Sequence, residues 1–467
     1  MSATAPPNWQ LLESPAQRRF HRKVTLLSAA GTFLDGYDLA VIAVALPVLT
    51  KQWHLSPGLA APLAASAVVG MLIGALVVGR LTDKLGRKAM YLIDLIGFVL
   101  FAVLTAAAQD VWQLMIFRFL LGLSLGADYP ISATLLAEYA PAARRGAMMC
   151  RMGAAWFAGS ATAYLVGAAL TPLGGLGWRL MLLLGAVFAL LVIWLRRAVP
   201  ESPRWLRAQG RGDDVEQVLS YLGGGDAGSA TAPAPELSGD QTGSQAGSRA
   251  GAHPWRLLFS RPVLRWTVFC CAFWAVYTTA YYGITIYTPT LLNSLTSNAQ
   301  QASIGSAVVG VVGLLGSGIG ILLVDRVGRR PLIIVAFAGL TLSLAVLALT
   351  GSSSLAVVAV LLAVAVMCAN GGPGILDFLY PTELLPTEVR ATGSGLATAV
   401  SRVGGILGIV VFPDLVKAWG IAHALWLFVA CGAAGTVICL LLAPETKGET
   451  LEELNERLLP GYDPANA

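Results

Sequence analysis

Twelve apolar runs, each long enough to cross a bilayer, leave this chain few ways to fold. They fall at about 24–49, 60–80, 89–108, 112–138, 147–170 and 178–197, then at 264–292, 302–324, 331–350, 354–380, 391–413 and 421–443. A bilayer core about 30 Å thick needs about 20 apolar residues per helix. Backbone groups have no water to bond to there, so each run must satisfy its own polar groups as a helix. Only 12% of the residues are charged, and mean hydropathy is +0.69. The fold class expected is an all-α membrane protein of twelve transmembrane helices in two parallel six-helix halves.

The distribution of positive charge orients the helices. Of 31 Lys and Arg residues, an internal N-terminus leaves three in outer loops (Lys51, Arg179, Lys417) and two within spans (Arg118, Arg402), with the other 26 on the cytoplasmic side. Cytoplasmic loops carry such an excess, so both termini are expected inside. The net charge of +5 then needs no nucleic-acid partner. Five segments follow: a tail at 1–23, a six-helix bundle at 24–197, a linker at 198–262, a second bundle at 263–443 and a tail at 444–467. The linker opens with amphipathic sequence and continues Gly/Ser/Ala/Pro-rich, a composition that cannot bury enough apolar surface to fold.

Signs of catalysis are missing. The six cysteines lie in or beside apolar segments without metal or disulfide spacing, and the four histidines occupy polar or loop positions. Glycine runs resembling a nucleotide fingerprint sit inside apolar spans, where no strand precedes them. The chain is expected to be no enzyme, to hold no metal and to need no cofactor.

Two halves repeat one pattern. Asp83, Gly86, Arg87 and Lys88 recur as Asp325, Gly328, Arg329 and Arg330; Glu138, Pro141 and Arg145 as Glu383, Pro386 and Arg390; Pro200-Glu201 as Pro444-Glu445. The offsets are 242, 245 and 244 residues, the mark of a duplicated six-span unit. Parallel halves of this kind place a substrate site near mid-membrane between them.

With GRLTDKLGRK after the second span, RFLLG from Arg118, ESPRWL and PETKGETLEE, the chain resembles the major facilitator superfamily across nearly its whole length. These signatures resemble the branch holding sugar porters, organic-ion transporters and aromatic-acid/proton symporters. The resemblance implies a secondary transporter of a small molecule in the cell (inner) membrane, working as a monomer and driven by the proton gradient. It also implies gating roles for Asp83, Arg87, Glu138, Arg145, Asp325, Arg329, Glu383 and Arg390, which latch the halves in one state and release them in the other.

Charges inside the spans are costly and mark function or pairing. Asp35 and Asp38 share a face of the first span, about 4.5 Å apart along the axis. Asp38 is about 21 Å from the cytoplasmic start of its span, and Arg118 about 9 Å below the outer start of span 4. Those depths coincide, so the two are expected to pair, either as a proton site tuned by a cation or as a permanent salt bridge. The pair matches the proton-coupling residues of bacterial sugar/proton porters by resemblance. Asp35 reads as a second proton site, a substrate-facing group, or a packing residue. Arg402, about 15 Å into span 11, cannot lose its charge and needs an anion. Asp377 and Glu383 are expected near the cytoplasmic end of span 10, away from it. Arg402 therefore binds a substrate carboxylate or pairs with Asp35. Organic-anion transporters carry an arginine in this place, a resemblance that favours the former.

Trp274, Tyr277 and Tyr281 share a face of span 7 and suggest an aromatic wall for a flat ring, while an interfacial belt accounts for some of the aromatic residues of this span. The leading expectation is a proton-coupled importer of an aromatic or heteroaromatic carboxylate, benzoate-like or nicotinate-like. The alternative is a sugar/proton symporter, but FWAVYTTAYYG, RMGAAWF and GPGILDF stand where resemblance to sugar porters would put glutamines and a tryptophan.

Overall fold

The computed structural model describes residues 15–85, 87–139, 145–196, 254–351, 354–386, 389–449 and 451–459, without the side chains of 15–21, 23–24, 76–89, 91, 127–139, 145–147, 196, 254, 391 and 451–452. In the first half α1 is Pro15–Trp53, α2 Pro57–Leu85, α3 Arg87–Ala107, α4 Val111–Tyr139, α5 Arg145–Leu170 and α6 Gly175–Arg196. In the second, α7 is Arg261–Ser294, α8 Ala299–Val327, α9 Arg329–Thr350, α10a Leu355–Gly371, α10b Pro373–Leu384, α11 Arg390–Trp419 and α12 Ile421–Leu442. A surface helix, α13, follows at Leu451–Leu458. Among the described residues no strand occurs. Among the described residues ten helices are long and apolar enough to cross a membrane, and the apolar stretches of α3 and α4, Leu92–Ala107 and Val111–Gly126, are shorter. The order of helices is the six plus six expected. Most of the 198–262 linker lies outside the described residues, as do the side chains of Asp83, Arg87, Glu138 and Arg145.

The duplication seen in sequence reappears in packing. α1 packs on α5, α2 on α4 and α3 on α6; in the second half α7 packs on α11, α8 on α10a and α9 on α12. The halves meet where α5 faces α8, α2 faces α11 and α1 faces α7. Large apolar side chains such as Leu190, Trp194, Leu349 and Leu441 are exposed on the outside of the bundle. That is the arrangement of a protein solvated by lipid tails, where a lipid-facing surface need not be polar.

Span 10 departs from a straight rod. Gly372 has φ −121° and ψ −90°, and Pro373, which follows, has no N–H to continue the ladder. The two pieces, α10a and α10b, therefore meet at a break inside the membrane.

Far from the chain ends, the two halves are tied together. Tyr164 of α5 donates to the Thr285 carbonyl of α7 at 2.6 Å. Thr171 and Ser303 share a hydrogen bond of 2.9 Å, and Gln300 donates to the Ala168 carbonyl at 2.8 Å. These bonds join the end of α5 and the turn after it to α7 and α8.

At the opposite face, Gly328 turns the chain between α8 and α9 with φ +105°, a conformation open to glycine. A Cβ there would also strike the Glu445 carboxylate. That carboxylate accepts from the backbone N–H groups of Arg329 (3.0 Å), Arg330 (3.1 Å), Thr446 (3.0 Å) and Lys447 (2.9 Å). It caps the N-terminus of α9, where unsatisfied donors and the helix dipole favour an anion.

Candidate functional site

Two helices carry the buried ion pair. Arg118 of α4 is fully buried and Asp38 of α1 is 4% exposed. Arg118 Nη2 donates to Asp38 Oδ2 and to the Asp38 carbonyl, both at 3.2 Å, and Nη1 reaches Oδ1 at 3.4 Å. The fork of the guanidinium thus faces both carboxylate oxygens, the geometry in which an Arg–carboxylate pair is strongest. Next to it, Tyr37 anchors α1 by donating to the Met181 carbonyl of α6 at 2.7 Å. The expected pairing of Asp38 with Arg118 is present.

Nearer the second half, a cavity of about 30 Å³ lies between the bundles, lined by Asp35, Trp156, Phe157, Trp274, Tyr277, Thr278, Tyr281, Tyr282, Asp377, Phe378 and Arg402. Its walls are mostly aromatic. Trp156 meets Tyr281 with ring centroids 5.7 Å apart, Tyr277 meets Tyr281 at 5.4 Å and Trp274 meets Phe378 at 6.1 Å. The first half contributes Trp156 and Phe157 from α5 and Asp35 from α1; the rest come from α7, α10b and α11. The space holds about one or two waters, far below the roughly 300 Å³ of an ordinary ligand pocket. In this arrangement the walls must part to admit a ligand of ordinary size.

Arg402 is half-buried in that cavity, and its Nη1 donates to the Tyr282 hydroxyl at 2.6 Å. Tyr282 reaches it because Gly405, one turn further along α11, presents no side chain: a Cβ there would overlap the tyrosine ring. Among the described residues Arg402 makes no ion pair, with Asp35 or with any other acid.

The expected residues Asp35, Trp274, Tyr277, Tyr281 and Arg402 are brought together in one cavity. One expectation is corrected. Asp377 is not remote from Arg402: it lines the same cavity and lies within electrostatic range of the guanidinium. Its expected depth assumed one straight helix, whereas span 10 is broken and extends to Leu384. Tyr287, on the same span as Tyr281, is buried and donates to the Ile409 carbonyl of α11 at 2.8 Å. Tyr282 and Trp156, in the cavity wall, lie off the helix face and motif that sequence periodicity singled out.

Of the residues expected to gate, those described belong to the second half. Arg329 lies 3.2 Å from Asp325 and 3.3 Å from Glu383, and Glu383 accepts from Thr446 Oγ1 at 2.6 Å. Arg390 donates from Nε to the Leu385 carbonyl at 3.2 Å. These contacts join α8, α9, α10b and the segment after α12 at the face bearing the chain ends.

With that geometry established, comparison with known proteins agrees. The family model described as "Sugar (and other) transporter" matches residues 24–458. The chain is 30% identical over 431 residues to the inner membrane metabolite transport protein YgcS of Escherichia coli, covering 92% of each chain. It is 28% identical over 438 residues to the niacin transporter NiaP of Acinetobacter baylyi, covering 93% of this chain and 97% of that one. Its fold is similar to that of the major facilitator superfamily proton:xylose symporter XylE, with TM-score 0.74, 24% identity and coverage of 95% of this chain and 100% of that one. The chain belongs to the sugar (and other) transporter family. It is a multi-pass membrane transporter of small molecules, not an enzyme. The match is to the family as a whole and does not single out the aromatic-acid branch.

Proposed function

We propose that this protein is a proton-coupled symporter that imports a small organic anion, an aromatic or heteroaromatic carboxylate, across the bacterial inner membrane. The observation that carries this reading is Arg402: a cation without an ion-pair partner among the described residues, held by Tyr282 in a cavity walled by aromatic rings. A bidentate carboxylate suits the guanidinium, and a flat ring suits the walls. The likeness to a niacin transporter supports it.

In this reading the halves 24–197 and 263–443 rock as units about the cavity, with both termini cytoplasmic, and a monomer suffices. Asp38 binds the driving proton and Arg118 tunes it. Protonation removes the charge that holds α1 to α4, so proton occupancy biases the conformation. The hydrogen bonds from Tyr164, Thr171 and Gln300 form the outer gate. Asp325, Arg329, Glu383 and Arg390 form half of the inner gate, with Asp83, Arg87, Glu138 and Arg145 in the repeat-related places.

A sugar/proton symporter is the second reading, favoured by the family match and the XylE-like fold. Proteoliposomes with an imposed inward proton gradient separate the two. Uphill accumulation of labelled benzoate or nicotinate is expected, and accumulation of xylose with neither carboxylate would replace the first reading by the second.

A further inference from the structure

One cavity residue has no part in that scheme. Asp377 sits on α10b, just past the break at Gly372, and is 6% exposed. Its Oδ1 is buried and, among the described residues, has no hydrogen-bond partner. An acceptor left this way is expensive, and more so when charged. Arg402 is near enough to act on it electrostatically, yet donates to Tyr282 instead.

This arrangement works against a plain anion. A carboxylate landing on Arg402 brings a negative charge beside Asp377, with Asp35 in the same cavity. Like charges in a dry site repel strongly. A ligand that also carries an N–H or O–H donor turns the penalty into a bond, because the waiting oxygen accepts it. The aromatic walls on either side require that the donor and the carboxylate share one flat ring.

Resting on the reading that Arg402 takes the substrate carboxylate, we infer that Asp377 is a specificity residue whose Oδ1 accepts a hydrogen bond from a ring substituent of the substrate. The preferred substrates are then aromatic acids bearing a hydroxyl or amino group, over unsubstituted ones. Sites built to bond a substrate donor discriminate sharply against analogues lacking it, because their own polar group is then left unpaired.

The experiment is isothermal titration calorimetry of the purified full chain at pH 7 with benzoate, the three hydroxybenzoate isomers and 4-aminobenzoate. In the wild type, the best donor-bearing ring should bind about tenfold or more tightly than benzoate, as for a hydrogen bond to a charged group. Asp377→Ala should erase that preference and tighten benzoate, since a like charge is gone. Asp377→Asn, of the same shape and still an acceptor, guards against a folding defect; it should shrink the preference to a few-fold. Preference undiminished in these variants would overturn the inference, as would joint weakening of benzoate and hydroxybenzoate, which would mark Asp377 as a donor to the carboxylate. Absence of any preference in a wild type that binds benzoate would overturn it alone. A wild type that binds xylose and none of these acids would instead overturn the organic-anion reading beneath it.

Discussion

Two arginines lie inside this membrane protein, and their surroundings could hardly differ more. Arg118 is fully buried and closed on Asp38, with both carboxylate oxygens and a carbonyl taken up by one guanidinium. Arg402 is half-buried, bonded to a neutral tyrosine, and open to a cavity that two acids share with it. The first is electrically complete without a ligand; the second is not. A closed pair can respond to a proton, which cancels one member's charge. An open cation can respond to an anion, which supplies the missing charge. On the proposed function the repeated halves carry different duties, even though their helices pack in the same pairs.

This contrast can be broken by substitution, and the largest effect expected is on coupling. Asp38→Asn should abolish uphill accumulation in proteoliposomes while leaving exchange of substrate down its gradient; a variant that still concentrates substrate would move the proton site elsewhere. Arg118→Leu should come next, costing about 3–5 kcal/mol because an uncompensated carboxylate stays buried. Thermal unfolding should show the loss, and adding Asp38→Asn should recover much of it. Arg402→Ala should leave thermal stability nearly unchanged but weaken benzoate binding by about 100-fold, as expected for two charge-assisted hydrogen bonds. Equal loss of stability in the two arginine variants would erase the distinction between them. Tyr282→Phe is the mildest: it removes one hydrogen bond to Arg402 and should weaken the anion several-fold, on the order of 1 kcal/mol.

The fold was legible because its signals are collective. Twelve spans, a constant offset between repeated motifs and the placement of Lys and Arg do not depend on any one residue. The Asp38–Arg118 pair was legible too, since α1 and α4 are continuous through that region and counting 1.5 Å per residue measures depth along them. Asp377 was not, for a physical reason. The stretch Leu355–Leu384 has 30 residues, more than the roughly 20 that a straight span needs. Counted from one end through the Gly372 break, residues no longer map onto depth. The NGGPG run signalled a bend without saying which side chains the bend would bring inward. Tyr282 was hidden differently. It follows Tyr281 immediately, so it leaves the Trp274–Tyr277–Tyr281 face by about 100° and turns toward α11, where Gly405 makes room for its ring. Such a meeting of two helices has no periodic signature in either.

The capping of α9 by Glu445 bears on how the end of the chain can be handled. One carboxylate gathers four backbone donors, two from the start of α9 and two from its own segment. Tyr380 of α10b adds a bond to the Pro444 carbonyl at 3.1 Å, and Trp266 of α7 donates to the Leu458 carbonyl at 3.1 Å. The tail is therefore a strap sewn across three spanning helices, not a trailing end. A purification tag belongs beyond Leu459, whereas trimming back to Ala443 would unstitch the rim of the second bundle at each of those points.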